Sequence, residues 1–195
     1  SSSMRDQLSN GTLFFNYRGY LGMSGFTNSD VDNASNGYKL PFATVLTCGT
    51  GSFAEDQTCM SEKFFRAGTV SNPKGGVAAI GTATWNTHTL FNNIVDMGLY
   101  HGLLADQVET AGACLVSGKL SLLNTYPTDP YQWISAFTHW NNLIGDPATH
   151  LWTKTPELFT VNHESQVSYG TNYFNVLVQD SLGNPVKKRM IGIKL

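Results

Sequence analysis

A tyrosine and a cysteine each lie in a glycine-rich segment that continues a short apolar run. Tyr20 belongs to the segment NYRGYLG at residues 16–22, and Cys48 belongs to the segment TCGTGSF at residues 47–53. A cysteine where a buried strand meets such a turn can expose its sulfur, and nearby backbone N–H groups can bind an oxyanion. Cys48 is therefore a candidate nucleophile, although most free cysteines serve as small buried hydrophobic residues.

Short apolar runs that alternate with helical patterns place both segments in one sheet. The predicted strands cover residues 12–17, 42–47 and 76–81, with a short closing strand at 150–152. The predicted helices cover residues 58–67, 89–104, 108–123 and 131–142. This order favours an α/β fold with a parallel sheet flanked by helices. Because loops at the carboxyl ends of parallel strands meet at one rim, Tyr20 and Cys48 are expected at the same edge.

The pattern of apolar and polar residues changes near Thr155. Apolar and polar residues alternate over residues 158–162, 172–179 and 186–194, and a turn is predicted at residues 181–185. Such alternation is typical of antiparallel strands with one solvent-facing side. We therefore predict one domain over residues 1–155 and the start of a second, β-rich domain over residues 156–195. Both ends are expected to be cut from a longer protein.

Composition excludes several classes of function. The 195 residues carry a net charge of −2, and only 13% of them are charged, which argues against a nucleic-acid partner. Three cysteines are too few for a disulfide framework, and their spacing predicts no zinc site. No apolar run approaches the roughly 18 residues of a membrane span, so none is predicted. The oligomeric state is not predicted.

Four segments resemble the gingipain family of cysteine peptidases, which are relatives of caspases and legumains. The segment NYRGYLG resembles the family's Asn-Tyr-x-Gly-His-Gly motif, and VLTCGTGSF resembles the segment that carries the nucleophilic cysteine. SEKFFRAG followed by GGVAAIGTATW resembles the next helix and strand, and HWNNLIGDPATHLWTKTP resembles the end of the peptidase domain. The resemblance covers residues 8–156, and its strength lies in the order and spacing of the segments.

This resemblance implies a fold, a site and a location. The fold would be a caspase-like α/β domain without its first strands, followed by a partial immunoglobulin-like β-sandwich. Cys48 would be the nucleophile of a polypeptide hydrolase, and the N–H groups of Cys48 and Leu21 would bind the oxyanion. Trp85 would line the pocket for the residue before the cleaved bond. The protein would be bacterial and secreted or at the cell surface, without an organic cofactor.

The sequence departs from the family where the catalytic histidine is expected. Tyr20 occupies that position, and Leu21 replaces the following glycine. A histidine exchanges protons near neutrality because its pKa is about 6.5, whereas the pKa of a tyrosine is about 10. Tyr20 could still donate a proton or orient water. His88, which lies near Trp85 in a predicted loop, is the better candidate to replace the base, and together with Trp85 it is predicted to contact the substrate.

Three functions therefore stay open. The first is a peptidase with altered chemistry, the second is a catalytically inactive pseudo-peptidase that binds peptides or partners, and the third is a structural module of a large exported protein. Oxygen-rich side chains in the first loop add a calcium hypothesis, because calcium prefers oxygen ligands. The candidate ligands are Asp30, Asp32 and Asn33, although a solvated loop is the commoner role of such a group.

Overall fold

A computed structural model describes residues 2–154 and 157–186 of the chain. The chain divides into two compact units, Ser1–Thr153 and Lys154–Leu195. The first unit is an α/β domain, and the second contains a small antiparallel sheet. The two units are described separately below.

The first unit is built on a four-stranded sheet with the strand order β1-β2-β3-β4. The first three strands are parallel, and β4 runs antiparallel to β3. Their bounds are Phe14–Leu21, Phe42–Cys48, Ala78–Thr82 and Asn141–Ile144. Every residue of β2 and β3 is buried, which explains their unbroken apolar sequences. The predicted mostly parallel sheet is therefore confirmed.

Helices pack on both faces of this sheet. In chain order, α1 to α6 cover Ser2–Asn10, Asn28–Asp32, Met60–Arg66, Thr89–Leu104, Ala111–Thr125 and Trp133–Trp140. Alternate β2 residues point to opposite faces of the sheet. Leu46 joins the core that includes residues of α4, α5 and α6, and Val45 joins the core that includes residues of α1, α2 and α3. These two cores fix β2, and with it the position of Cys48.

The predicted closing strand at residues 150–152 is wrong. His150 forms only an isolated bridge with Thr110, and the fourth strand lies earlier, at Asn141–Ile144. The helix expected over residues 131–142 ends at Trp140, whose carbonyl oxygen accepts a hydrogen bond from Ala83 N–H at 2.7 Å. The first two residues of β4 are asparagines, so no apolar run marked it as a strand.

The first strand is longer than predicted. The run over residues 12–17 was expected to end before the glycine-rich segment, but β1 continues to Leu21. Its pairing with β2 is irregular between Arg18 and Leu21, where Gly19 lies. Glycine tolerates such irregular backbone, so the strand carries Tyr20 and Leu21 to the rim of the sheet.

The second unit contains two antiparallel strands, β5 at Thr160–His163 and β6 at Val176–Gln179. Both overlap strands that the alternating pattern predicts. The Asp180 carboxylate accepts hydrogen bonds from Leu182 N–H and Asn184 N–H, each at 2.9 Å, and so holds the turn that was expected over residues 181–185. Residues 187–194 of the third predicted strand lie outside the described residues.

Within the described ranges, no helix is both long enough and apolar enough to cross a lipid bilayer.

Candidate functional site

The two glycine-rich segments meet at the carboxyl ends of β1 and β2. Leu21 pairs with Cys48 across the parallel strands. Gly22 N–H donates a hydrogen bond to the Cys48 carbonyl oxygen at 3.4 Å, and Thr47 Oγ1 donates to the Gly22 carbonyl oxygen at 2.8 Å. The backbone that follows Tyr20 is thus fastened to the backbone that carries the thiol, as the strand order predicts.

The thiol of Cys48 has a hydroxyl group as its neighbour. Cys48 is 3% exposed, and its sulfur lies within hydrogen-bonding distance of Thr87 Oγ1. Thr87 lies in the loop that joins β3 to α4. Sequence reasoning missed this residue, although it lies between the two residues, Trp85 and His88, that were selected from the same loop. A hydroxyl can accept a hydrogen bond from a thiol or donate one to a thiolate.

Tyr20 and Leu21 point their side chains outward. Tyr20 is 74% exposed and Leu21 is 59% exposed. The phenol at the position expected for the base therefore faces solvent, whereas the Cys48 sulfur is buried. An aromatic ring at the rim can contact a bound polypeptide, but this arrangement gives Tyr20 no shielded route to the thiol proton.

His88 caps α4, and its ring forms no hydrogen bond with the Cys48 sulfur in the described structure. Its Nδ1 accepts a hydrogen bond from Leu90 N–H at 3.2 Å, and its ring lies 5.5 Å from the ring of Phe91. With Nδ1 acting as an acceptor, the neutral ring carries its proton on Nε2. The contact to Cys48 comes from the preceding residue, Thr87.

Trp85 covers the turn that follows Cys48. Gly49 has a φ of +75°, and a Cβ atom at that position would lie 2.7 Å from the Trp85 ring. Trp85 Nε1 donates a hydrogen bond to Glu55 Oε1 at 2.6 Å, and the ring remains 57% exposed. The indole therefore spans the two loops beside the thiol and offers a flat apolar wall at the rim.

Backbone N–H groups of the turn after Cys48 already donate hydrogen bonds to carbonyl oxygens of the protein. Gly49 N–H donates to the Thr84 carbonyl oxygen at 2.8 Å, and Gly51 N–H donates to the Thr82 carbonyl oxygen at 3.1 Å. Phe53 N–H donates to the Gly51 carbonyl oxygen at 2.8 Å. The N–H groups of Cys48 and Leu21 stay the oxyanion donors that the family resemblance implies.

The buried carboxylate of Asp96 on α4 interacts electrostatically with the half-buried guanidinium of Arg18 on β1. The pKa of Asp96 is raised, mainly because the carboxylate is buried, and a hydrogen bond from Asn16 Nδ2 at 3.2 Å and the charge of Arg18 lower it in part. Burial likewise lowers the pKa of Arg18, and the charge of Asp96 opposes that change. Among the described residues, Arg18 Nε and Asp96 Oδ1 are buried without a hydrogen-bond partner.

The carboxylates of the calcium hypothesis are held by protein cations. Asp30 Oδ1 lies 2.5 Å from Arg5 Nε, and Asp30 Oδ2 accepts a hydrogen bond from Thr27 N–H at 2.6 Å. Asp32 Oδ2 lies 3.0 Å from Lys63 Nζ. In the part of the chain that the structure describes, no group of three or more metal-binding side chains converges. The loop therefore gives the calcium hypothesis no support.

Comparisons with known proteins agree with this fold. The profile of peptidase family C25 matches residues 1–152. The structure is similar to gingipain R, an Arg-specific cysteine proteinase (RgpB), with a TM-score of 0.73 and 20% identity over 91% of this chain. It is also similar to the complex of Porphyromonas gingivalis RgpB pro- and mature domains, with a TM-score of 0.72 and 22% identity over 91% of this chain.

A third similar structure is that of a protease, with a TM-score of 0.67 and 17% identity over 88% of this chain. The chain spans only 42% to 43% of the length of these three proteins. At such low identity the likeness concerns the fold, and it confirms the expected caspase-like α/β architecture. No curated protein matches the sequence.

Proposed function

The chain belongs to peptidase family C25, and we propose that its first domain hydrolyses polypeptides with Cys48 as the nucleophile. One observation carries this proposal: Leu21 pairs with Cys48 at the shared rim of β1 and β2. The thiol therefore lies beside the segment that resembles the family's histidine motif. The exposed ring of Trp85 adds a wall against which a substrate side chain can lie.

In the proposed reaction, the Cys48 sulfur attacks the carbonyl carbon of a peptide bond. The thiol loses its proton, the C–N bond breaks, and the amine leaves with one proton. Water then adds to the thioester, which releases the carboxylic acid and restores the thiol. The N–H groups of Cys48 and Leu21 are the proposed donors to the oxyanion in both steps.

The proposed site lacks an imidazole beside the sulfur. The observed neighbour of the thiol is the Thr87 hydroxyl, and a hydroxyl orients the sulfur but is a poor base at neutral pH. General acid–base catalysis contributes a factor of roughly 10² to 10⁴ to such reactions. We therefore expect slow turnover that rises with pH, because the thiol proton leaves to solvent or hydroxide.

The second candidate function is a pseudo-peptidase that binds polypeptides without cutting them. Its support is the contrast between a buried thiol and an exposed apolar rim. Large apolar side chains of the two glycine-rich segments and of the loop after β3 are half exposed or more, namely Tyr20, Leu21, Phe53 and Trp85. Exposed apolar groups of this kind often mark binding surfaces.

We further propose that residues 1–155 are part of a C25 peptidase domain and that residues 156–195 begin an immunoglobulin-like domain. The antiparallel pair of β5 and β6 supports a β-rich second domain. Membership of the family supports an exported bacterial protein, at the cell surface or secreted. Expression of the protein in a bacterial host, followed by fractionation, tests this location.

A peptide with a thiol-reactive chloromethyl ketone distinguishes the two candidate functions. A working peptidase labels Cys48 faster than a model thiol does and also cleaves a mixed peptide library. A pseudo-peptidase binds a matched, unreactive peptide, labels no faster than a model thiol and cleaves nothing. Cys48→Ala is the control in both assays, since it removes the sulfur but leaves the rim. If the chain neither bound the peptide nor cleaved the library, both candidate functions would be excluded.

A further inference from the structure

Arg18 connects the strand that carries Cys48 to the helix that follows Thr87. One guanidinium nitrogen, Nη1, donates a hydrogen bond to the Leu46 carbonyl oxygen, and Nη2 donates to the Thr89 carbonyl oxygen at 2.7 Å. Leu46 lies two residues before Cys48, and Thr89 lies two residues after Thr87. The two hydrogen bonds therefore join the segments on either side of the contact between sulfur and hydroxyl.

The surroundings of Arg18 hold its guanidinium in place. Asn16 and Arg18 are two residues apart on β1 and so point to the same face of the sheet. Asp96 on α4 accepts a hydrogen bond from Asn16 Nδ2 at 3.2 Å and also interacts electrostatically with Arg18. Asp96 is only 7% exposed, so its charge is poorly screened by water. This arrangement fixes Arg18 between the sheet and α4.

Hydrogen bonds restrain the loop that contains Thr87 near both of its ends. At its start, the Thr84 carbonyl oxygen accepts a hydrogen bond from Gly49 N–H at 2.8 Å, and Thr84 Oγ1 accepts one from Asn86 N–H at 3.1 Å. At its end, the restraint is the hydrogen bond from Arg18 to Thr89. A lysine has a single charged nitrogen and cannot reproduce the two-pronged geometry of arginine.

We propose that Arg18 is a positioning residue that holds the Thr87 hydroxyl against the Cys48 sulfur, where the hydroxyl donates a hydrogen bond to the thiolate. The proposal rests on the proposed function only for the role of Cys48 as nucleophile. Its consequence is a thiol whose reactivity depends on a residue of the neighbouring strand. This chain has Tyr20 at the position of the family's histidine, and the sulfur is oriented by its contact with Thr87 instead.

Alkylation of the folded chain by iodoacetamide at pH 7 tests the proposal, with the Cys48 peptide quantified by mass spectrometry. Loss of a hydrogen bond to a charged sulfur lowers the thiolate fraction about tenfold. The remaining thiolate is about threefold more nucleophilic, so the net loss of labelling rate is about threefold. Thr87→Val is therefore expected to slow the labelling of Cys48 about threefold, whereas Thr87→Ser, which keeps the hydroxyl, restores the rate.

Substitution of Arg18 tests the positioning role. Arg18→Met is expected to slow labelling as much as Thr87→Val does, and the double variant is expected to be no slower than either, because both remove one interaction. Arg66→Met is the matched control, since Arg66 is an exposed arginine on α3 that pairs with Glu62. Each variant is first shown to be folded by circular dichroism. If Arg18→Met is not folded, Arg18→Lys takes its place.

Four results would overturn the proposal: equal rates for Thr87→Val and wild type, additive losses in the double variant, faster labelling in Arg18→Met, and no labelling of Cys48 in the native chain. Faster labelling would mean that Thr87 merely covers the sulfur. The assay requires no peptide cleavage, so its result is independent of the proposed peptidase activity. Conversely, a failure to cleave peptides would leave the labelling rates and their coupling unchanged.

Discussion

Leu21 and Cys48 face each other across β1 and β2, and Gly22 N–H donates a hydrogen bond to the Cys48 carbonyl oxygen at 3.4 Å. The residue before Leu21 is Tyr20, so the position that resembles the family's histidine lies one residue from the strand partner of Cys48, the proposed nucleophile. The strands therefore bring the two positions to one rim. The imidazole is missing because residue 20 is a tyrosine, and not because the backbone at this position is displaced.

Restoring the imidazole is the first prediction. Tyr20→His is expected to raise kcat/KM for peptide cleavage roughly 10²-fold, because general base catalysis contributes about that much or more. Activity should rise as pH increases through about 6.5, where a histidine loses its proton. Tyr20 is exposed, so the substitution should change stability by less than about 0.5 kcal/mol. Cleavage of a mixed peptide library across pH 5–9 measures the effect.

The control for this variant is Tyr38→His. Tyr38 is 79% exposed and precedes β2, whereas Cys48 is the last residue of that strand. This control adds an equally exposed imidazole away from the thiol and should leave cleavage unchanged. If both variants gained activity equally, the effect would not come from the position of the base. If Tyr20→His remained folded and gained none, the rim position could not reach the thiol.

Gly49 gives a prediction on the packing of Trp85. Gly49→Ala would place a Cβ atom 2.7 Å from the Trp85 ring and would force an alanine to adopt a φ of +75°. The backbone conformation alone costs about 1 kcal/mol, and displacement of the ring costs about 1–3 kcal/mol more. Urea unfolding should therefore show a total loss of about 2–4 kcal/mol.

Gly37→Ala separates the two costs. Gly37 also has a positive φ, +57°, but a Cβ atom there would meet nothing within 4 Å. This variant should lose only about 1 kcal/mol, which is the backbone cost alone. Equal losses in both variants would show that the Trp85 ring yields freely and does not press on the turn after Cys48.

The position of Cys48 could be predicted from sequence because the signal is local. The residues of β2, FATVLTC, are all buried, and a buried strand that runs into a glycine turn identifies the junction directly. Parallel strand order then places Tyr20 near it. The family resemblance includes the same two segments, so the fold and the place of Cys48 in it could be inferred together.

The partner of the thiol could not be predicted in this way. The Thr87 contact depends on where α4 begins, and Arg18 donates a hydrogen bond to the first residue of that helix, Thr89, from 71 positions away in the chain. Similarly, β4 begins with Asn141, whose amide is satisfied by Asn92, 49 positions away. Polar residues with distant partners carry no periodic signal, so both features emerge only in the folded chain.

Asn141 is the subject of the third prediction. Its side chain accepts a hydrogen bond from Thr82 Oγ1 at 2.9 Å and donates to Asn92 Oδ1 at 3.3 Å, and all three residues are buried. Asn141→Ala would leave the threonine hydroxyl and the Asn92 carbonyl with fewer partners and would create a small cavity. We expect a loss of about 2–4 kcal/mol in urea unfolding.

The neighbouring residue provides the control for this prediction. Asn142 is partly exposed, and its amide donates to the His139 carbonyl oxygen at 3.0 Å and to the Trp140 carbonyl oxygen at 3.1 Å. Because water can replace these hydrogen bonds, Asn142→Ala should cost less than about 1 kcal/mol. A loss in Asn141→Ala no larger than this would show that the buried network contributes little to stability.

The pH dependence of stability gives the last prediction, on Asp96. Its pKa is raised in the folded state, mainly by burial. The folded chain therefore binds more protons than the unfolded chain between pH 4 and the raised pKa, and stability increases as pH falls through that window. Asp96→Asn mimics the protonated form. It should be more stable than wild type at pH 7, and the difference should shrink as pH falls toward 4.

Asp30 is the control with the opposite sign. Its pKa is lowered, first by the hydrogen bond from Thr27 N–H, so its ionised form stabilises the fold above about pH 4. Asp30→Asn should therefore be less stable than wild type at pH 7, and this deficit should shrink as the pH falls through the lowered pKa. Urea unfolding of Asp96→Asn at about pH 4–7 and of Asp30→Asn at about pH 2–7 measures the two trends. If Asp96→Asn were the less stable variant at pH 7, the attraction between Asp96 and Arg18 would outweigh the cost of burying the carboxylate.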